Sequence, residues 1–236
     1  MRVAIMQPYL FPYIGYIQMM NAVDHFVIYE RAQYMKGGWI NRNKILNKGS
    51  GKEQLFSFSV ANSPVETAII DKEWGPKFDL ERKKFLRSLE QNYSKAPHFN
   101  STFSLIEACL DPSIKYVGEL IGKSLIKIAA HLEMETIFSW SADYDFKDSD
   151  PAQAKVLSIL DHIGADHYIN AIGGKEIYDQ DSFQAKGIQL DFIKAEAKPY
   201  EQYGGEFIPY LSIIDVLMFN GVEGTKELLG AYELVK

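Results

Sequence analysis

"RVAIMQPYLFPYIGYIQMMNAVDHFVIYE", Arg2 to Glu30, decides the fold. Arg2 to Met6 is an apolar run stopped by Gln7-Pro8, because proline lacks a ladder donor and restrains the residue before it. Such a run is the mark of a strand covered on both faces, as in a parallel sheet. Tyr13 to Ala22 carries Ile14, Ile17 and Met20 near helical spacing, and Asp24 precedes a second apolar strand, His25 to Glu30. Strand, helix and strand in that order predict a βαβ unit. Pro8, Pro12, Gly15 and several tyrosines crowd the connection, more than a plain crossover requires.

Outward from that unit, "RAQYMKGGWINRNKILNKGSGKEQLFSFSV" is punctuated at Gly37-Gly38 and at Gly49 to Gly51, and Gln54 to Val60 alternates as a strand does. It predicts a β excursion or a long functional loop. Phe78, Phe85, Leu86 and Leu89, then Leu120, Ile121, Leu125, Ile128 and Leu132, mark amphipathic helices and a helical lobe around residues 74–135. "ETIFSWSADY" reads as a short strand and its loop. Asp150 as N-cap, Pro151 at the first helical position and Gly164 at the end delimit a further helix. "DHYINAIGGKEIYDQDSFQAKGIQLDFI" follows as strand, Gly-Gly turn, helix and strand, and two closing helices meet at Gly221. The expected fold is α/β: a mainly parallel sheet with flanking helices, Rossmann-like or nucleotidylyltransferase-like, in one domain over 1–236 with a helical segment in mid-chain.

The 236 residues are 47% hydrophobic and 24% charged, a globular profile. A net charge of -6 argues against a sequence-independent nucleic-acid binder, which draws on clustered Lys and Arg. Aromatic residues make up 13%, serving either stacking sites or simply the core. Cys109 is the single cysteine, so no intrachain disulfide forms and a reducing cytoplasm is expected. Its apolar setting, "FSLIEACL", makes it a packing residue. One Arg before a short strand resembles neither a secretion signal nor a membrane span. His25, His98, His131, His162 and His167 lack metal-ligand spacing, no hydrolase signature is present, and the sequence leaves the cofactor open.

Chemistry is expected where strands of a parallel sheet end. Gln7, Tyr9, Tyr13, Gly15 and Tyr16 sit at such an end; Gln7 suits a base or sugar hydroxyl, and Gly15 would admit a phosphate to the following helix's N-terminus. Tyr13-Ile-Gly-Tyr16 stands where nucleotidylyltransferases carry HxGH, without its imidazoles. "KGGWINRNKI" offers the Trp39 face, the amides Asn41 and Asn43, and the cations Lys36, Arg42 and Lys44; in an extended segment Asn41 and Asn43 share one face and Arg42 and Lys44 the other. Tyr168 and Asn170 lead into Gly173-Gly174, a turn that could cradle phosphate though its spacing is not a Walker loop. Ser212 is a helix cap or a contact. Asp215, inside "LSIIDVLMF", must be paired, because an unpaired carboxylate there would cost several kcal/mol.

Taken in order, "MQPYLFPYIGYIQMMNAVDHFVIYE", "GGWINRNKIL", "QNYSKAPHF", "HYINAIGGKEIY" and "FIPYLSIIDVLMFN" resemble the successive motifs of the WbqC-like family over nearly the full chain. The resemblance implies a role among bacterial enzymes of O-antigen, lipopolysaccharide and other surface polysaccharides, on nucleotide-linked sugars. It carries over motif membership for Gln7, Pro8 and Gly15; for Trp39, Asn41, Arg42 and Asn43; for Tyr168, Asn170, Gly173, Gly174 and Tyr178; and for Ser212 and Asp215. Relatives often read Asn-Tyr after Gln-Pro, where this chain has Tyr9-Leu10.

The function so implied is a transferase that acylates or aminoacylates a nucleotide-linked amino sugar, using an acyl or aminoacyl donor. Trp39 or Tyr9 would stack, Arg42 and the Gly173-Gly174 turn would hold phosphate, and Asp215 or His167 would take the proton from the attacking amine. A non-catalytic sugar-nucleotide or glycan-binding protein and a nucleotidylyltransferase-like enzyme are the alternatives.

Overall fold

The computed structural model describes residues 1–236. Its frame is a six-stranded sheet in the order β5-β2-β1-β6-β7-β8, made of β1 (Arg2–Met6), β2 (His25–Ile28), β5 (Ile137–Trp140), β6 (His167–Ala171), β7 (Gln189–Ala195) and β8 (Tyr232–Val235). All neighbours are parallel except β7 and β8. A separate antiparallel hairpin pairs β3 (Arg42–Asn47) with β4 (Lys52–Ser57). The helices are α1 (Ile14–Ala22), α2 (Phe78–Tyr93), α3 (Phe99–Cys109), α4 (Val117–His131), α5 (Ala152–Ile163), α6 (Gln180–Gln184) and α7 (Ile213–Leu228). No helix is long and apolar enough to cross a membrane.

Alternation along the strands sorts side chains into two cores. Val3, Ile5, Val27, Tyr168, Leu190 and Phe192 pack with residues of α5 and α6. Ala4, Phe26, Ile28, Ile169 and Ile193 pack with α1, α4 and α7 in the larger core, which extends to α2, α3 and the hairpin. Each such Val, Leu, Ile or Phe side chain, fully buried, contributes roughly 1.5–3 kcal/mol. Both faces are covered, which explains why β1 is apolar at successive positions.

The first helix forms where the spacing of Ile14, Ile17 and Met20 predicts it, but it is not amphipathic. Every α1 residue except Asn21 is buried. An element enclosed on all sides has no polar face to display. Its one fully buried amide side chain, Gln18, donates to the carbonyls of Glu196 (3.1 Å) and Leu228 (2.9 Å), joining α1 to the end of β7 and to α7.

Two helix ends refine the sequence reading. Pro151 is the N-cap residue of α5, with no side-chain cap, so the start lies one residue beyond the Asp150 cap expected. Gly164, at φ 73°, closes α5 as expected. The two closing helices, together α7, meet as expected at Gly221, whose backbone is non-helical (φ 62°, ψ -161°). A Cβ at that position would lie 2.6 Å from the His98 ring. Gly221→Ala is expected to lose about 2–4 kcal/mol of stability, combining backbone strain with overpacking, read as a lower urea midpoint. An unchanged midpoint would mean that α7 straightens without cost.

Candidate functional site

The strand order reverses beside β1: β2 and β5 extend to one side, β6 and β7 to the other. The loop leaving β1 stands at the carboxyl end of this switch point, where α/β proteins bind ligands. It is tied down over its length. Leu10 N–H donates to Ile40 O (2.9 Å) and Ile213 N–H to Pro12 O (2.6 Å). Phe11 takes a positive φ of 46°, and its carbonyl accepts hydrogen bonds from Asn43 Nδ2 and Ser212 Oγ, both at 2.7 Å. A non-glycine residue in that region costs about 1–3 kcal/mol, so it persists only where its surroundings dictate it.

Against this fixed loop lies an aromatic cleft of about 430 Å³, lined by Tyr9, Tyr13, Trp39, Asn43, Lys44, Glu53, Pro209 and Tyr210. Tyr9 and Trp39 have ring centres 6.4 Å apart, and Tyr13 meets Tyr210 edge-on at 6.1 Å. Trp39 is 46% exposed and Tyr210 57%, so both faces are open to a ligand. Arg42 Cζ lies 5.0 Å from the Trp39 ring centre and Lys44 Nζ 5.9 Å from it. Lys44 is paired with Glu53 at 2.7 Å. Burial, with Tyr13 adding and Arg42 opposing, holds the Tyr9 hydroxyl above the usual phenol range; burial and then Tyr210 raise Tyr13 likewise. Both hydroxyls are therefore protonated donors at neutral pH.

The expected face-sharing in "INRNK" is realised, with the amides inward. Asn41 is buried; its Nδ2 donates to Phe58 O (2.6 Å) and its Oδ1 accepts from Tyr34 OH (2.9 Å). Asn43, 2% exposed, borders the cleft but directs its amide at Phe11. Ser212 also caps α7, its Oγ accepting from Ile214 N–H at 3.2 Å. Gln7 is exposed, and its carbonyl accepts from Tyr16 OH (2.8 Å). Gly15 does not make room for phosphate: a Cβ there would sit 2.4 Å from the Tyr13 ring and 2.6 Å from Ala195 Cβ, so protein atoms fill that space.

Other expected site residues stand elsewhere. Asn170 Nδ2 donates to Tyr168 OH (2.8 Å), Gly174 packs against the Asn170 amide, and Tyr178 meets Tyr168 edge-on at 5.7 Å. They form a separate cluster, with Tyr168 fully buried and Gly173 exposed on the turn. His167 begins β6, in register with Arg2 and Gln189. That is the amino edge of the sheet, roughly 10 Å of strand from Asn170, and there His167 Nε2 pairs with buried Asp191 (2.8 Å).

Asp215 is fully buried and faces no cleft. Its carboxylate accepts from Tyr93 OH, Tyr200 OH and Gln202 Nε2, each at 2.7 Å, so its partners are neutral donors rather than Arg or Lys. Tyr93 OH also accepts from Leu46 N–H (2.7 Å), linking α2, β3, α7 and the segment before Tyr210. The cleft residues that sequence reasoning missed are Glu53, Pro209 and Tyr210. The hairpin register sets Lys44 opposite Leu55 and Glu53 two residues along, a diagonal neighbour countable from the Gly49 to Gly51 turn. Tyr210 carried no local signal.

The chain belongs to the WbqC-like protein family, whose model matches residues 7–227. It is similar to the uncharacterized protein Rv1507c of Mycobacterium tuberculosis (strain ATCC 25618 / H37Rv), with 28% identity over 230 residues, covering 94% of this chain and 95% of that relative. No solved structure matches it.

Burial raises the Asp215 carboxyl above its ordinary value of 3.8, outweighing its hydrogen bonds. A raised folded value stabilises fully below the unfolded value and loses that contribution as pH rises through the folded one. The unfolding free energy of the wild type minus that of Asp215→Asn should thus shrink as pH rises above about 4. Denaturation series from pH 3 to 8 measure it; a difference that grows with pH would show that the donors prevail over burial.

Proposed function

We propose that the protein is a cytoplasmic transferase that holds a nucleotide-linked amino sugar in the aromatic cleft and acylates or aminoacylates the sugar amine. One observation carries the reading: Tyr9, Tyr13, Trp39 and Tyr210 surround the cleft beside Arg42 and Lys44. Aromatic faces suit a base or sugar ring, and adjacent cations suit the phosphates joining them. The setting among surface-polysaccharide enzymes, implied by family resemblance, supplies the substrate class.

In this reading the base or sugar stacks on Trp39, and the phosphates draw Arg42 and Lys44. Engaging Lys44 opens its pair with Glu53, and Glu53 becomes the carboxylate beside the amine. The amine nitrogen forms a bond to the donor's carbonyl carbon, the bond from that carbon to the leaving group breaks, and Glu53 accepts the amine's proton. The donor must be an activated acyl or aminoacyl compound. Asp215 and His167 are dropped as bases, since one is enclosed and the other stands at the opposite edge of the sheet. Those same placements favour the second reading, a sugar-nucleotide-binding accessory protein without turnover.

The test titrates uridine- and thymidine-diphosphate amino sugars calorimetrically, then incubates them with acyl and aminoacyl thioesters and weighs the products. Trp39→Ala should weaken binding about 5- to 100-fold, the loss of one stacking face. Glu53→Gln should suppress the mass-shifted product while sparing binding. Binding with no product from any donor leaves the accessory reading; absence of both sinks the proposal.

A further inference from the structure

A larger cleft, about 870 Å³, opens at the carboxyl ends of β2 and β5. Its volume lies within the range of small-molecule sites. Arg31 and Gln33 line it just after β2, the Pro64 to Asp71 segment supplies Glu66 and Asp71, and α5 supplies Lys155. Arg31 is committed internally: its guanidinium donates to Tyr144 O (3.1 Å) and Phe146 O (3.0 Å), pairs with Asp148 (2.7 Å) and lies 3.8 Å over the Phe146 ring. Arg31 and Asp148 so neutralise each other and stiffen one wall.

Glu66, Asp71 and Lys155 have no ion-pair partner anywhere in the fold. A lone exposed charge means little. Here two carboxylates from the Pro64 to Asp71 segment and an ammonium from α5 border one concavity, and the nearby start of α5 has no side-chain cap, which adds positive potential on the Lys155 side. The lining is bipolar, with an excess of negative charge. A plain acyl group, uncharged, would make no use of it.

We propose that this cleft binds an α-ammonium group on a molecule with an anionic end, Glu66 and Asp71 taking the ammonium and Lys155 the anion. Both a free α-amino acid and an aminoacyl phosphate ester have this chemistry. The role follows if the transferase reading above holds: the donor is aminoacyl rather than simple acyl. The chain from Gln33 to Trp39 connects the two clefts and spans at most about 20 Å, so ligands in both extend over one loop.

The test uses the full chain and three sets of probes: the twenty standard amino acids, their N-acetyl derivatives, and aminoacyl-sulfamoyl adenosines as stable phosphate-ester mimics. At least one ammonium-bearing probe should bind, free amino acid and adenosine conjugate distinguishing the two sources, and its N-acetyl form should bind at least tenfold more weakly. Glu66→Gln with Asp71→Asn should cost tenfold or more. Both acidic residues are exposed, so the double variant folds, which an unchanged melting temperature verifies. No binding by any ammonium probe, equal binding of the N-acetyl forms, or an unaffected double variant overturns the inference. Nucleotide-sugar titrations on the same samples separate the cases: if these still bind, this inference falls alone, and if only the ammonium probes bind, the transferase reading falls instead.

Discussion

The carbonyl of Phe11 is the point on which the carboxyl edge of the molecule depends. Asn43 from the hairpin and Ser212 from the start of the last long helix donate to the same oxygen. Together with burial of the Phe11 side chain they hold a backbone turn that would otherwise relax. Tyr9 and Tyr13 stand on either side of that turn, and the residues on which it hangs lead to Lys44 and to Tyr210. One oxygen therefore coordinates three remote stretches of chain into a single cleft.

Polar residues of the motifs divide accordingly. Asn41, Asn43, Ser212 and Asp215 are buried and bonded within the protein, and their work is to hold backbones and tyrosines in place. Trp39, from the same stretch as the asparagines, is exposed, and Arg42 and Lys44 lie half-buried beside its ring, donating to the Gly37 carbonyl and to Glu53. Alternation in an extended segment produces this split: one face is spent on the scaffold and leaves the other for recognition. A buried amide is costly unless satisfied, which accounts for its placement opposite free carbonyls.

Much of the frame was legible from local signals. Apolar strands, the Gly164 stop and the break at Gly221 depend on neighbouring residues, and so does the face-sharing of Asn41 with Asn43. What was not legible depends on tertiary placement. The burial of all of α1 but Asn21 follows from α7 and β7 arriving on its far side, and no periodicity within nine residues reports that. His167 reads as a strand residue near a glycine turn, but which end of the strand faces the site depends on parallel pairing with β1. Tyr210 enters the cleft from a segment far along the chain. Gly15 was read as room for a ligand's phosphate, whereas Tyr13 and Ala195 occupy that space, a placement only the tertiary fold determines.

The bond from Ser212 to Phe11 spans 201 residues. During synthesis the opening loop therefore emerges 201 residues ahead of its second hydrogen-bond donor. The central strand has the same difficulty, since one of its neighbours, β6, begins at His167. Contacts so distant in sequence slow folding and leave apolar strands uncovered for longer. The productive folding of the opening loop is therefore tied to the arrival of β6 and of the helix that Ser212 caps, rather than to its own local preferences.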